Sequence, residues 1–140
     1  MDSFLSEFNK LYQELDEIYH IYAKEHGLSD SVLWILYSLA ESDVSLTQKD
    51  LCDLWHWTAQ TVNSALKRLE GQGVIRLVPV SGSHKSKNIV LTDKGNDYIK
   101  RLIVPIYEAE SRAFQSMSPE ERSMLLTLTS KYVDLLKEEI

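Results

Sequence analysis

The chain has 140 residues and a mass of 16.1 kDa, which is enough for one compact domain and excludes a multidomain enzyme. Its 44% hydrophobic and 26% charged residues, with only five Gly and three Pro, are typical of a folded protein and exclude a disordered or fibrous one. The single cysteine excludes an internal disulfide, and the net charge of −6 disfavours a nucleic-acid partner unless the charges are unevenly distributed.

Two helices are predicted before residue 41. Apolar residues recur at helical spacing from Phe4 to Tyr22, on a stripe wider than a single contact needs, and Gly27 ends the segment. Because so small a chain cannot cover a helix that is apolar on two sides, we expect this helix to pack against a second copy of the chain. Ser29 can cap a second helix, which continues to Ala40.

The next two predicted helices are joined by a four-residue turn. Thr47, with the acid Asp50 three residues later, is typical of the start of a short helix, which ends near Leu54. Residues 55–58 form the turn, and residues 59–70 form the helix that follows. This helix has an apolar face of Val62, Ala65, Leu66 and Leu69 and an opposite polar face of Gln60, Ser64, Lys67 and Arg68.

A β-hairpin is predicted after these helices. Residues 74–80 are β-branched and apolar, residues 81–83 have the composition of a turn, and residues 88–91 are again extended in character. The connecting loop is basic, with His84, Lys85 and Lys87.

Two more helices complete the chain. Thr92 or Asp93 can cap a long helix, and Pro105 inside it is expected to bend it about one turn earlier. Ser118, followed by proline and two acids, starts the last helix. That helix is expected to bury Leu125, Leu128, Tyr132, Leu135 and Leu136.

The charges are distributed unevenly along the chain. Residues 1–43 carry two basic and nine acidic side chains, residues 44–101 carry nine and five, and residues 102–140 carry four and seven. The excess of positive charge is greatest over residues 67–101, which contain eight basic and three acidic side chains. One surface of the middle segment could therefore bind a polyanion although the whole chain is acidic.

The sequence predicts neither membrane insertion nor secretion. The longest uncharged apolar stretch, residues 31–40, is far shorter than the roughly 20 residues of a membrane span. The start Met1-Asp2-Ser3 lacks the basic segment of a signal peptide. We therefore expect a cytoplasmic protein that has no membrane partner.

The order of elements predicts a mainly α fold of six helices with a small β-hairpin wing, the winged helix-turn-helix. In this arrangement the second helix of the pair enters the major groove of double-stranded DNA, and the wing reaches the flanking backbone or minor groove. The predicted contacts of the recognition helix are Ala59, Gln60, Thr61, Asn63, Ser64, Lys67 and Arg68. The predicted wing and backbone contacts are Arg76, His84, Lys85, Lys87 and Lys94.

Several short segments resemble the signature of the MarR family of multiple-antibiotic-resistance-type regulators. They are Leu46-Thr47-Gln48, Leu51-Cys52, Thr61-Val62, Leu69-Glu70, Gly73-Val74-Ile75 and Leu91-Thr92-Asp93-Lys94-Gly95. The resemblance spans residues 29–117, and the Leu-Thr-x-Lys-Gly segment is its most specific part.

The resemblance implies one integrated domain with three functional parts. Residues 1–28 would form a dimerisation helix, residues 29–97 the DNA-binding region, and residues 98–140 further dimerisation helices. It implies a homodimeric regulator, in most cases a repressor, of genes whose operators are inverted repeats. In many members a small aromatic compound releases the DNA.

The sequence departs from the family pattern at the wing tip and in the turn. Ser83-His84-Lys85 replaces the usual Asp-Arg-Arg, so Lys85 would take the minor-groove role without the fork geometry of arginine. His56 stands where a glycine is common, and histidine tolerates positive φ better than most residues. Trp57 replaces a small aliphatic residue, which implies an enlarged core pocket.

The aromatic residues, the cysteine and the histidines are the remaining candidates for ligand-binding or redox roles. Seven aromatic residues could line an effector pocket between the dimer helices and the DNA-reading part, or could instead pack in the core or the dimer: Tyr12, Tyr19, Tyr22, Trp34, Tyr37, Trp55 and Trp57. The residues assigned to the predicted pocket are Tyr12, Tyr19, Trp34, Tyr37 and Trp55. Cys52 is expected to be a buried, inert thiol on the inner side of its helix. The histidine spacing favours no metal site, although His20 or His26 with a nearby glutamate could form one in a dimer.

Two alternatives to the plain regulator stay open. A winged helix could instead dock an acidic protein surface through its basic wing, or the regulator could respond to metal or to thiol oxidation. Catalysis is not expected, because no nucleophile, phosphate loop or metal-ligating pair stands out, and no cofactor is predicted.

Overall fold

The computed structural model describes all residues from Met1 to Ile140, in two units that consist of residues 1–103 and 104–140. The first unit contains α1 (Ser3–Glu25), α2 (Asp30–Glu41), β1 (Leu46–Thr47), α3 (Gln48–Trp55), α4 (Ala59–Gly71), β2 (Ile75–Pro79), β3 (Lys87–Leu91), α5 (Asp93–Tyr98) and a π-helical turn (Ile99–Ile103). The second unit contains α6 (Val104–Gln115) and α7 (Pro119–Glu139).

The six predicted helices are confirmed, the fifth being the helical run of α5, the π-helical turn and α6. The predicted division at residues 28 and 97 is a functional one and stays a prediction. No helix combines the length and the apolar character needed to cross a membrane.

Side-chain caps fix the helix starts where the sequence predicted them. The Ser29 hydroxyl accepts from the amide of Val32 at 3.2 Å. Thr47 and Ser118 each form a capping box with the acid three residues later, so that the backbone amides of the cap residue and of the acid both have a partner. Thr92 rather than Asp93 caps α5, through the amide of Gly95 at 3.0 Å.

The wing is a three-stranded sheet rather than a simple hairpin. The order is β1-β3-β2, with Leu46 opposite Ile89 and Ile75 opposite Leu91, and both pairings are antiparallel. The sequence did not predict β1, because a strand of two residues leaves no alternating pattern. Its pairing ties the start of α3 to the wing.

The core of the first unit is built on the inner faces of α2 and α4, with β2, β3 and the π-helical turn. The apolar face predicted for α4 is confirmed as buried. The largest fully buried side chains are Leu33, Ile35, Leu36, Leu51, Leu66, Leu69, Ile75, Val62 and Val74. Tyr22 of α1 donates its phenolic hydrogen to the carbonyl of Leu102 at 2.7 Å, and burial raises the pKa of its hydroxyl.

The Leu-Thr-x-Lys-Gly segment is a clamp between the end of α4 and the start of α5. The Thr92 hydroxyl donates to the carbonyls of Gly73 and Val74 while it caps α5. The Lys94 ammonium donates to the carbonyl of Gln72 at 2.7 Å, at the end of α4. Gly95 is buried, and a Cβ there would collide with the carbonyl oxygen of Val74.

The π-helical turn lies where the sequence predicted a bend. Pro105 has no amide hydrogen to donate to Arg101, so regular α-helical bonding cannot continue through this point. The backbone adopts i→i+5 bonding over Ile99–Ile103, immediately before α6.

The prediction that α7 buries five apolar side chains is wrong. The helix has no buried residue, and the five side chains expected in its core are exposed by 37% to 56%. In the first unit, α1 also exposes large apolar side chains, among them Leu11, Leu15 and Ile18. The helical periodicity was right, but these apolar side chains are exposed in the chain.

We expect Gly95→Ala to lower the free energy of unfolding by about 1–3 kcal/mol, since the added methyl group must displace the Val74 backbone. Gly71→Ala is the matched control. Its Cβ would meet nothing within 4 Å at the end of α4, so a small gain of about 0.5–1 kcal/mol is expected. Urea denaturation measures both, and equal stabilities of the two variants would contradict the clamp.

Candidate nucleic-acid interface

The polar face of α4 points outward. Successive residues of an α-helix are rotated by about 100°, which places Gln60, Ser64 and Lys67 at the centre of one face. All three are exposed and lie opposite the buried stripe. The flanks of this face are formed by Ala59 and Asn63 on one side and by Thr61 and Arg68 on the other. Asn63 is half-buried, and the other three flanking residues are exposed.

The turn before α4 has the left-handed residue that the sequence predicted. His56 has φ 55° and ψ 36° and ends α3. Thr58 then caps α4, its hydroxyl accepting from the amide of Thr61 at 3.2 Å. Gln48, at the start of α3, donates its side-chain amide to the carbonyl of Ala59 at 3.1 Å. Both ends of α3 therefore help to place the start of α4.

The recognition-helix flank and the wing meet in one groove. This wing groove has a volume of about 530 Å³, and it is lined by Thr47, Gln48, Lys49, Cys52, Ala59, Asn63, Leu66, Leu77, Lys85, Ser86 and Lys87. Three lysines reach it, two from the wing tip and one from α3. The Lys49 ammonium donates a hydrogen bond to Asp53 at 2.7 Å, and this bond raises the pKa of Lys49.

Cys52 is not buried in the core as predicted. It is half-buried and faces the wing groove, and its neighbour Leu54 is 57% exposed. Only Leu51 of α3 is fully buried, because one turn of so short a helix contacts the core. Cys52 and Leu54 are apolar in type, but this does not predict their burial in so short a helix.

The wing tip is braced by a serine. The Ser83 hydroxyl accepts from the amides of Lys85 and Ser86 at 3.4 and 3.1 Å, a local turn that the sequence analysis missed. Lys85, Lys87 and the predicted contact His84 are exposed around this turn. The tip thus keeps a defined loop without the usual Asp-Arg pair.

Two predicted backbone contacts lie apart from the wing groove. Arg76 is exposed on β2 and does not line the groove. The Lys94 ammonium is held by the Gln72 carbonyl and lies 5.9 Å from the centre of the Tyr98 ring. Lys94 therefore has a structural role, whatever contact it makes with DNA.

On the opposite flank, α4 faces the start of α2. A second groove of about 470 Å³ there is lined by Ser29, Ser31, Val32, Gln60, Thr61, Ser64, Ala65 and Arg68. The exposed face of α4 is thus bordered by a groove on each side. The predicted reading residues Gln60 and Ser64 border the second groove, and the basic wing borders the first.

Four of the five predicted effector-pocket residues form one aromatic cluster. The Trp34 ring lies 4.8 Å from Tyr19, 5.5 Å from Tyr37 and 5.3 Å from Trp55, measured between ring centres. Tyr12 lies two turns before Tyr19 on α1 and contacts Phe8 instead.

Trp57 extends the cluster. Its half-buried ring stacks on that of Trp55 at 5.5 Å and 19°. The ring therefore lies on the turn and fills no enlarged core pocket, which corrects that prediction.

No group of three or more metal-ligating side chains comes together in the chain. His20 bonds both carboxylate oxygens of Asp30 at 3.0 Å on the surface. His26 contacts the carbonyl of Tyr22 through its Nδ1 atom at 2.8 Å.

Part of the chain is similar to known proteins. The family model described as MarR family matches residues 26–86. The HTH-type transcriptional regulator PecS of Dickeya dadantii (strain 3937) is 37% identical over 71 residues, which are 51% of this chain and 43% of PecS. The chain thus aligns with less than half the length of that relative.

Solved structures match nearly the whole chain. The transcriptional regulator SlyA is 25% identical, with a TM-score of 0.73 over 99% of this chain and 96% of that one. The S. aureus MepR–DNA complex is 21% identical, with a TM-score of 0.75 over 97% and 99% of the two chains.

Proposed function

We propose that the chain is a DNA-binding transcriptional regulator of the MarR family, and that it acts as a homodimeric repressor on an inverted-repeat operator. The observation that carries the proposal is the wing groove. In it the flank of α4, the start of α3 and two wing lysines face the same space. An outward polar helix beside a basic loop suits a duplex, in which base edges lie between two phosphate backbones.

Within this proposal, Gln60 and Ser64 read bases. Their side chains are short and uncharged, and they lie at the amino-terminal end of α4, which a recognition helix directs into the major groove. Glutamine binds adenine through two hydrogen bonds, and serine can donate or accept. Arg68 and Lys67 lie farther along the same helix and are assigned to the phosphates.

The wing supplies charge rather than sequence readout. Lys85, Lys87 and His84 surround the tip, with Lys49 across the wing groove. Attraction of lysine to phosphate depends on charge and is screened by salt. The wing therefore adds affinity for any duplex, and its lysines explain how an acidic chain can bind DNA.

The exposed apolar side chains of α1, and separately those of α7, support a homodimer. Seven large apolar residues of α1 are exposed in one chain, and α7 leaves all of its apolar residues uncovered. Many large apolar side chains exposed together on one helix are typical of a protein–protein interface. A two-fold axis would place two copies of α4 about 34 Å apart, one helical turn of DNA.

The aromatic cluster is the proposed site of a small aromatic effector. Tyr19, Trp34, Tyr37 and Trp55 offer ring faces and edges against which such a molecule can pack. Tyr12 is outside the cluster and is the least supported member of the predicted set.

The oligomeric state tests the dimer directly. We expect a dimer in sedimentation equilibrium at micromolar concentration, and Ile18→Glu is expected to shift it towards monomer because the charge would lie in the apolar interface. Glu14→Gln, on the same helix, should leave the dimer intact. A wild-type chain that stays monomeric would contradict the proposal.

Base reading predicts a selective loss. On an operator recovered by selection from random duplexes, Gln60→Ala or Ser64→Ala should cost about 1–3 kcal/mol of binding free energy, with little change on unrelated DNA. Gln115→Ala, at the exposed end of α6, is the matched control. Equal losses on all duplexes would reassign these side chains to the backbone.

The wing lysine predicts a loss of another kind. Lys85→Ala should weaken binding to every duplex and lower the slope of log affinity against log salt by about one unit, since one fewer counterion is released. Lys10→Ala removes the same charge from α1 and should leave the slope unchanged. Titrations at several salt concentrations measure both, and an unaltered slope in Lys85→Ala would mean that the wing makes no phosphate contact.

A further inference from the structure

Trp55 occupies the junction of the helix-turn-helix. It is the last residue of α3, its indole N–H donates to the Ser38 hydroxyl at 2.8 Å, and Ser38 lies on α2 with 4% of its surface exposed. The Ser38 hydroxyl donates its only hydrogen to the carbonyl of Trp34, at 2.7 Å. Because an indole can only donate, the direction of both bonds is fixed and every polar group of the pair is satisfied.

The same ring contacts two other tryptophan rings. Trp55 packs on Trp34 of α2 at 5.3 Å and on Trp57 at 5.5 Å, and Trp57 immediately precedes the cap of α4. His56, the residue with left-handed backbone, separates Trp55 from Trp57 in the sequence. The stack therefore joins α2, the end of α3 and the residue before α4 into one contact.

We propose that Trp55 is a positioning residue for DNA reading: its hydrogen bond to Ser38 sets the start of α4 relative to α2. This inference rests on the proposed function. Gln48 holds the carbonyl of Ala59 from the other end of α3, so the turn is braced at two points. Gln60 is the next residue, one position beyond the braced carbonyl.

Misplacement of α4 affects the two kinds of DNA contact differently. Hydrogen bonds to base edges weaken steeply when distance or angle changes, whereas the attraction between lysine and phosphate falls slowly with distance. Loss of the bond should therefore lower binding to the selected operator and leave binding to unrelated duplexes nearly unchanged. The ratio of the two affinities reports position rather than folding.

The experiment compares Trp55→Phe, Ser38→Ala and the double variant in the full chain. Phenylalanine keeps an aromatic ring in the stack and removes the N–H donor, and alanine removes the acceptor. Each change breaks the same bond, so we expect each single variant and the double variant to lose about 5- to 10-fold in affinity for the selected operator, and less than about 2-fold for unrelated DNA.

Ser116→Ala is the matched control. The Ser116 hydroxyl donates to the carbonyl four residues earlier at 2.8 Å, as Ser38 does, but it has no indole partner and lies in the exposed turn that follows α6. Both affinities should stay within about 2-fold of the wild type. Far-ultraviolet circular dichroism and urea denaturation establish that each variant is folded, and if Trp55→Phe is not, Ser38→Ala carries the comparison.

Three results would overturn the proposal. One is an unchanged operator affinity in both folded single variants. Another is an equal loss on operator and unrelated DNA, which would indicate a general structural effect. The third is additive losses in the double variant, because two side chains that act through one bond cannot contribute independently. A wild-type chain that binds no duplex at all would instead refute the proposed function, and the positioning role with it.

Discussion

The two faces of α4 constrain the rest of the structure. The helix must bury Val62, Ala65, Leu66 and Leu69 in the core of the first unit while its opposite face stays free for a ligand. Burial of each valine or leucine side chain in this stripe contributes about 1.5–3 kcal/mol. Rotation of the helix about its axis would expose the stripe and is therefore disfavoured. Rotation is therefore fixed by the core, and Gln60 and Ser64 are held outward by residues that never contact DNA.

Burial fixes the rotation of α4, and hydrogen bonds fix its two ends. At the carboxyl end, Thr92 and Lys94 bond the carbonyls of Gly73 and Gln72, and Gly95 lets α5 approach the chain closely. At the amino end, Thr58 caps the helix and Gln48 bonds Ala59. The Leu-Thr-x-Lys-Gly segment, the most specific part of the sequence resemblance, therefore supports the carboxyl end of α4 through these contacts.

Local chemistry made most of this fold predictable from the sequence. The capping residues Ser29, Thr47 and Ser118 act within three residues of themselves, and the tolerance of His56 for positive φ is a property of that residue alone. The features that were missed or wrong depend on distant surfaces. β1 exists only because β3 pairs with it, and the exposure of Cys52 follows from which turn of α3 meets the core.

The candidate site followed the same division. The outward set on α4 could be predicted, because helical period alone separates it from the buried stripe. The wing groove could not, since the distance between α4 and the hairpin tip depends on the whole sheet. The apolar side chains of α7 are the extreme case: periodicity predicts that they are covered but not by which chain.

Trp34 gives the aromatic cluster two roles at once. Its ring contacts Tyr19 of α1 on one side and Trp55 on the other, and its carbonyl accepts from Ser38, which holds the Trp55 indole. The proposed effector site and the proposed positioning contact therefore share one residue. Displacement of Trp34 by a bound ligand would therefore be transmitted to the turn before α4 through the contact between the Trp34 and Trp55 rings and through the Ser38 bonds. Base reading would then weaken while the fold and the wing charges stayed unchanged.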